Sequence, residues 1–336
     1  MDGWAVSAAD VGRPLRVAAE SAAGHATSRR LAAGEACRIS TGALLPEGAD
    51  AVVRREDARE IEGRLVVGVA VRRGAHVRPR GDDLERGERL LAAESVVAAH
   101  EVSVIAAAGH VGAWCRRRPR VAFATTGDEL VPPGADVPWA GRIESNLAGL
   151  AAQAIAAGAE PAGSAHAPDE QTTTVATLSG LLDGDPDLLV TVGGVSVGEH
   201  DHVSGALTRL GARWALRGVA MRPGHPVGIA VCRSTVILAL PGNPAAAAVA
   251  FHLLGRVLLG ARDDWSRRAV LSAPCPRHPR ATSFVRCTED GEGLRPLVRQ
   301  GSAQLASLAG ARALAWIEPG DGAVAAGTAV CVSALP

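Results

Sequence analysis

Three short apolar runs, at 121–125, 188–192 and 236–240, each end in a loop that contains glycine. A strand that is apolar without alternation is buried on both of its faces. The segments between and around these runs, at 144–157, 170–182, 203–210 and 244–260, read as helices. Buried strands alternating with helices predict a parallel sheet covered on both sides. Such a sheet takes its ligand at the carboxyl ends of its strands, which is where the three glycine loops stand.

The remainder of the 336 residues is organised differently, and two or three domains are expected for this length. Residues 1–90 read as β-rich, with short apolar stretches separated by Gly, Pro and charged turns. Residues 91–116 read as a helical segment, with one helix over 94–108 ending at Gly109. The arginine-rich stretch 116–120 reads as a solvated linker before the first buried strand. The α/β domain is expected over 117–262, and a small all-β module over 263–336. The fold class predicted is therefore multi-domain α/β, with a central three-layer, parallel-type sheet flanked by two β-rich parts.

Composition narrows the function classes. Basic and acidic residues number 35 each, so there is no net charge to suggest a nucleic-acid or membrane-surface binder. No apolar run reaches the roughly 20 residues that cross a bilayer, and Met1-Asp2-Gly3-Trp4 lacks the features of a signal peptide. A cytoplasmic protein is expected. All 35 basic residues are arginine, so a site that would ordinarily use lysine must use Arg or His. The six cysteines are scattered, with no close C-x2-C pair, and read as ordinary thiols.

The chemistry concentrates in loops. In the loop after 188–192, Gly193 and Gly194 let backbone approach a ligand and Ser196 adds a hydroxyl. Asp201 could hold a metal ion bridging to a bound anion. The alternative is a glycine turn with Asp201 capping the next helix. The loop after 236–240 holds Pro241, Gly242, Asn243 and Pro244; a helix start with Asn243 at the cap and Pro244 in the first turn explains it fully. The third loop is Thr126-Gly127-Asp128-Glu129. Arg222 and His225, three apart in a Pro-Gly turn, could meet phosphate or another oxyanion. In the β-rich region Asp2, Thr41 and Asp83 lie in separate turns.

Taken in order, these pieces are more specific than any one of them. Met-Asp-Gly-Trp-Ala-Val (1–6), Arg-Ile-Ser-Thr-Gly-Ala (38–43), Arg-Pro-Arg-Gly-Asp-Asp (78–83), Thr-Gly-Asp-Glu-Leu (126–130), Ser145-Asn146, Gly-Gly-Val-Ser-Val-Gly (193–198) with Asp201, Arg-Pro-Gly-His-Pro (222–226) and Pro-Gly-Asn-Pro (241–244) resemble the molybdopterin molybdenumtransferases. Phe284-Val285-Arg286 and Gln300-Gly301-Ser302 resemble the family's C-terminal barrel. The resemblance implies an elongated homodimer that converts adenylylated molybdopterin and molybdate, with Mg²⁺, into molybdenum cofactor and AMP. It implies that Asp201 and Glu129 hold the metal. It assigns substrate contacts to Thr126, Gly127, Asp128, Ser145, Asn146, Gly193, Gly194, Ser196, His225, Pro241, Asn243 and Ser302. Asp2, Asp83, Asp201 and Arg222 are the expected catalytic groups, with Asp2, Thr41 and Asp83 supplied by the partner subunit. Partners are small-molecule substrates and other proteins of molybdenum cofactor biosynthesis, with no nucleic acid or membrane.

The chain departs from that pattern twice. The family usually carries lysine at both basic positions of the Pro-Gly turn, here Arg222 and His225. Members also have several tens of residues before the Met-Asp-Gly motif, where this sequence begins; a start set too far downstream or a truncated relative is expected, with Asp2 poorly ordered. Two other functions remain open: the adenylyltransferase that makes the nucleotide substrate, and a catalytically impaired paralogue serving as a binding or scaffold module.

Overall fold

Gly3–Val6, the first apolar stretch of the chain, forms a strand (β1) hydrogen-bonded along both edges. The structure, a computed structural model, describes residues 2–195, 202–261 and 265–335. It divides into two units, Met1–Cys115 and Arg116–Pro336.

In the first unit β1 is followed by β2 (Leu15–Ser21), β3 (Glu35–Ile39), β4 (Ala51–Arg54), β5 (Ala58–Ile61) and β6 (Arg64–Val67). They form one sheet in the order β4-β1-β3-β2-β6-β5. Alternation puts Trp4, Val6 and Val53 in one apolar cluster and Ala5, Cys37 and Val52 in another. The helix expected over 94–108 is shorter, α1 (Ala99–Ala107). It starts where the Glu101 carboxylate turns back to accept the Ala98 N–H at 3.0 Å. No residue of α1 is buried within its unit.

The second unit runs β7 (Arg120–Thr126), β8 (Leu130–Val131), β9 (Arg142–Ile143), α2 (Asn146–Ala156), β10 (Glu160–Ala167), α3 (Gln171–Asp183), β11 (Leu188–Val192), α4 (His202–Arg209), β12 (Arg213–Arg217), β13 (Met221–Arg222), β14 (Gly228–Cys232), β15 (Thr235–Leu240) and α5 (Pro244–Ala250). After α5 come a π-helical turn at Phe251–Gly255, α6 (Arg256–Leu258), β16 (Arg268–Val270), β17 (Cys275–Pro276), β18 (Thr282–Asp290), β19 (Gly293–Pro296), α7 (Ala306–Ala309), β20 (Ala313–Ile317), β21 (Ala323–Val324) and β22 (Ala329–Ala334). Its main sheet has the order β10-β7-β11-β15-β14-β12. The first four strands are parallel, and β14 and β12 extend the sheet antiparallel.

The three central strands are the three apolar runs, and their side chains divide cleanly between two layers. Val121, Phe123, Val190 and Leu238 pack with α2 and α5 residues such as Leu150 and Val249. Ala122, Ala124, Leu189 and Ile237 pack with α3 and α4 residues such as Leu178 and Leu207. Each fully buried leucine or valine contributes on the order of 2 kcal/mol, so this double coverage fixes the strand ends firmly. The second sheet, in the order β13-β18-β20-β22-β16 with β19 beside β18, carries the C-terminal β module. Its edge strand β13 comes from the chain between β12 and β14, with Met221 opposite Thr282 and Arg222 opposite Ser283. The Arg222 turn is thereby pinned to the C-terminal sheet.

Candidate functional site

The loops after β7, β11 and β15 meet at the carboxyl end of the parallel strands. Gly193 and Gly194 have φ of +92° and +60°, a region that disfavours any side chain with a Cβ. A Cβ on Gly193 would stand 2.9 Å from the Thr126 hydroxyl, and one on Gly194 would stand 2.7 Å from Val203 Cγ2. The Gly193 N–H donates to the Leu240 carbonyl at 3.0 Å, which ties the second loop to the end of β15. A Cβ on Gly242 would come within 3.6 Å of Gly193 Cα. Asn146 closes the group, its side-chain amide donating to the Gly242 carbonyl at 3.2 Å. Thr126, Asn146, Gly193 and Gly242 are therefore one constellation. Ser196 and Asp201 lie outside the described residues.

On the β7 loop, the Glu129 carboxylate folds over Gly127. Asp128 faces Asp169, each carboxylate accepting the other's backbone N–H, at 3.4 and 3.0 Å. Ser145 occupies the cap position of α2 without capping it through its side chain. Glu144 does that instead, accepting from the N–H groups of Asn146 at 2.7 Å and Leu147 at 3.1 Å.

Asn243 corrects the sequence expectation. It stands before α5, but its side chain makes no cap hydrogen bond. The amide donates instead to the Ser302 hydroxyl at 3.2 Å, and the Ala246 N–H bonds the Ser302 carbonyl at 3.1 Å. The helix-start explanation of this motif thus fails for its side chain. Pro241, Asn243, Gln300 and Ser302 then line, with Arg222 and His225, a cavity of about 250 Å³. No carboxylate lines that cavity among the described residues. His225 Nδ1 stands 2.7 Å from the Val219 carbonyl oxygen.

Asp2, Thr41 and Asp83 form a second group, in the first unit. Asp2 is hydrogen-bonded to Thr41 and Arg55. Its carboxylate accepts the Thr41 N–H at 2.8 Å and the Thr41 hydroxyl at 3.1 Å, and its carbonyl accepts the Arg55 N–H at 3.2 Å. The Thr41 backbone and hydroxyl bonds hold the Asp2 carboxyl below the usual carboxylate range. Thr41 and Asp83 line a cavity of about 930 Å³, which Leu45, His76 and Leu84 also line.

Sequence reasoning passed over Arg286 as a functional candidate. It is fully buried on β18, with one terminal nitrogen donating to the carbonyls of Arg299 at 3.2 Å and Gly301 at 3.1 Å. Its Nε and other terminal nitrogen have no hydrogen-bond partner. Burial lowers its pKa, because the charged form is taken out of water. Its backbone exchanges hydrogen bonds with the Gln300 side chain, so Arg286 holds the segment that presents Gln300 and Ser302 to the cavity. The sequence signal was an arginine inside the short Phe284-Val285-Arg286-Cys287 run of a strand.

Comparison with known proteins matches this chain along most of its length. Residues 1–109 match the MoeA N-terminal region (domain I and II), 122–261 a probable molybdopterin binding domain, and 268–335 the MoeA C-terminal region (domain IV). A molybdopterin molybdenumtransferase from Bacillus subtilis is 32% identical over 98% of this chain and 82% of its own length. One from Synechococcus elongatus is 31% identical over 100% of this chain and 87% of its own. One from a Nostoc species is 37% identical over 75% of this chain, which spans 60% of that relative's length. A crystal structure of a molybdopterin biosynthesis MoeA protein from Pyrococcus horikosii superposes with a TM-score of 0.81 at 26% identity, covering 99% of this chain and 86% of that one. With the ordered motifs, the sheet-end loops and relatives of this similarity in hand, the chain belongs to the molybdopterin molybdenumtransferases, an enzyme family of molybdenum cofactor biosynthesis.

Proposed function

We propose that this chain converts adenylylated molybdopterin and molybdate, with Mg²⁺, into molybdenum cofactor and AMP. The observation that carries it is the convergence of three strand-end loops beside a cavity that offers an arginine, a histidine and amides, and no carboxylate among the described residues. Backbone of the Gly193-Gly194 turn, with the Thr126 hydroxyl beside it, suits the phosphates of such a substrate. Ser196 adds a further hydroxyl. Asn146 orients the Gly242 loop against the same turn, and Ser145, Gly127, Asp128 and Pro241 would add further substrate contacts. Arg222 and His225, with Asn243 and Ser302, suit the tetrahedral oxyanion of molybdate.

The donor chemistry suits Mg²⁺: Glu129, on the loop after β7, carries a hard carboxylate folded over Gly127, and Mg²⁺ is ordinarily held by one or two carboxylates together with phosphate oxygens and water. Glu129 and Asp201 would hold it, and it would neutralise charge on the phosphates as AMP leaves. A homodimer in the cytoplasm would bring Asp2, Thr41 and Asp83 of one subunit to the loops of the other. Supporting that assembly, α1 has no buried residue and Leu44 is 73% exposed, faces that a second copy would cover.

The adenylyltransferase alternative is disfavoured by the two flanking regions matched at 1–109 and 268–335. The purified protein should release AMP from adenylylated molybdopterin only when molybdate and Mg²⁺ are both present. Tight nucleotide binding with no AMP release would overturn the proposal. Consumption of ATP without molybdate would replace it with the adenylyltransferase.

A further inference from the structure

The two cationic positions of the Pro-Gly turn differ in one respect. Arg222 stays charged at every pH a folded protein meets, whereas an imidazole changes charge between about pH 5 and 8. The His225 ring is already committed on one side, because Nδ1 stands 2.7 Å from the Val219 carbonyl oxygen. A carbonyl oxygen only accepts, so Nδ1 carries a hydrogen, and the neutral ring then keeps a lone pair on Nε2. Arg222, on the same turn, is the one charged side chain lining the cavity beside His225 among the described residues. The elements packed against it contribute Pro241, Asn243, Ala246, Gln300 and Ser302, none of which titrates.

We propose that His225 makes oxyanion binding in this chain proton-linked: a tetrahedral dianion enters the cavity together with one proton, which Nε2 takes up. The inference rests on the cavity's being the molybdate site proposed above. A lone pair on Nε2 repels an oxyanion, whereas an N–H there donates to it and carries charge as well. Asn243 and Ser302 are engaged with each other at 3.2 Å, so the turn's own two side chains supply the charge that neutralises the anion. A lysine in place of His225 would keep its ammonium through neutral pH and would give no such linkage. The sign follows directly. The complex holds one proton more than the separated protein and anion, so affinity is greatest in mild acid and falls as pH rises. At its steepest the loss is about tenfold per pH unit.

The test is direct titration with sodium molybdate, by calorimetry, between about pH 6.5 and 8.5, from within the range in which an imidazole loses its charge to just above it. Wild type, His225→Lys and His225→Gln are compared, each checked for an unchanged melting temperature. Wild type is expected to weaken as pH rises and to take up one proton per anion, read from buffers of different ionisation enthalpy. His225→Lys should bind with no pH dependence and no proton uptake, and His225→Gln should bind weakly at every pH. A wild-type affinity as flat as that of His225→Lys overturns the linkage while leaving the oxyanion site standing. If none of the three proteins, His225→Lys included, binds molybdate at any pH, the site assignment itself fails and the linkage falls with it.

Discussion

Gly194→Ala is the substitution that asks whether the glycine turn is built to this shape. Two opposing effects nearly cancel at the backbone. Holding alanine at a φ of +60° costs about 1 kcal/mol or somewhat more, while the stiffer unfolded chain returns roughly 0.4–1 kcal/mol. Sterics decide the outcome. The new Cβ would stand 2.7 Å from Val203 Cγ2, 3.1 Å from Val203 Cβ and 3.3 Å from the Val203 nitrogen. Val203 is fully buried against Leu207 and Ala206 and is β-branched, so it has no second rotamer to retreat into. Overpacking of this kind costs about 1–3 kcal/mol. For a unit of this size each kcal/mol lowers the melting temperature by roughly 2–4 °C, so a fall of about 2–12 °C is expected.

The assay is thermal unfolding of Gly194→Ala, Val203→Ala and the double variant, followed by circular dichroism. If the clash is the cause, the double variant is no less stable than Val203→Ala alone, and the coupling between the two sites is about 1–3 kcal/mol. Nucleotide binding should weaken in Gly194→Ala, because the turn cannot relieve the overlap without moving Gly193 and the Leu240 bond that anchors it. A melting temperature within about 1 °C of wild type would refute the reasoning, since it would mean that Val203 can yield at no cost.

Two other perturbations follow from single contacts. Asn146→Asp replaces an amide donor with a carboxylate facing the Gly242 carbonyl, so the loop should be repelled; the expected result is a raised KM for the nucleotide substrate in steady-state kinetics, with at most about 1–3 kcal/mol lost in unfolding. His252 is fully buried with Nε2 at 2.8 Å from the Ser333 hydroxyl, and burial, then the nearby Arg256 charge, lowers its pKa from 6.5 to about 4. The folded form therefore favours the neutral ring: the stabilisation is complete above 6.5 and is lost as pH falls towards about 4. The full loss is roughly 3 kcal/mol, about 2 of it by pH 5, and urea unfolding of His252→Asn should lack that part of the acid sensitivity.

The strands at 121–125, 188–192 and 236–240 were legible because they are interior and parallel, and burial on both faces leaves a continuous apolar run. The outer strands were not. β10, with the sequence Glu-Pro-Ala-Gly-Ser-Ala-His-Ala, borders only β7, and an edge tolerates proline and polar residues that erase the pattern. β12, Arg-Trp-Ala-Leu-Arg, likewise mixes charged with apolar residues; β14, Gly-Ile-Ala-Val-Cys, is apolar throughout and was passed over, and the antiparallel pairing of both makes the sheet mixed where a parallel one was expected. Helix positions were sound but their starts drifted, as at Ala99, because the Glu101 side chain and not the alanine run decides where α1 begins.

The site divides along the same physical line. Glycines at strand ends announce themselves in sequence, because a loop that must bring backbone close to a ligand has few other residues to use. The cavity lined by Arg222 and His225 does not, since its wall is assembled from positions 222, 225, 241, 243, 300 and 302. Two things bring those residues together: pairing of β13 with β18, and the buried Arg286, whose side chain and backbone fasten the 299–301 segment. Neither is periodic, and neither is local. Asn243 shows the cost of judging such a residue by its neighbours alone: beside Pro244 it reads as a helix cap, yet its amide is spent on Ser302, some sixty residues away, because the C-terminal sheet has already delivered that hydroxyl to the end of β15. The cavity is thus a product of the junction between the two sheets of this unit. Substitutions that loosen β13 from β18 should disturb anion binding before they disturb the glycine turn, whose support lies within the parallel sheet itself.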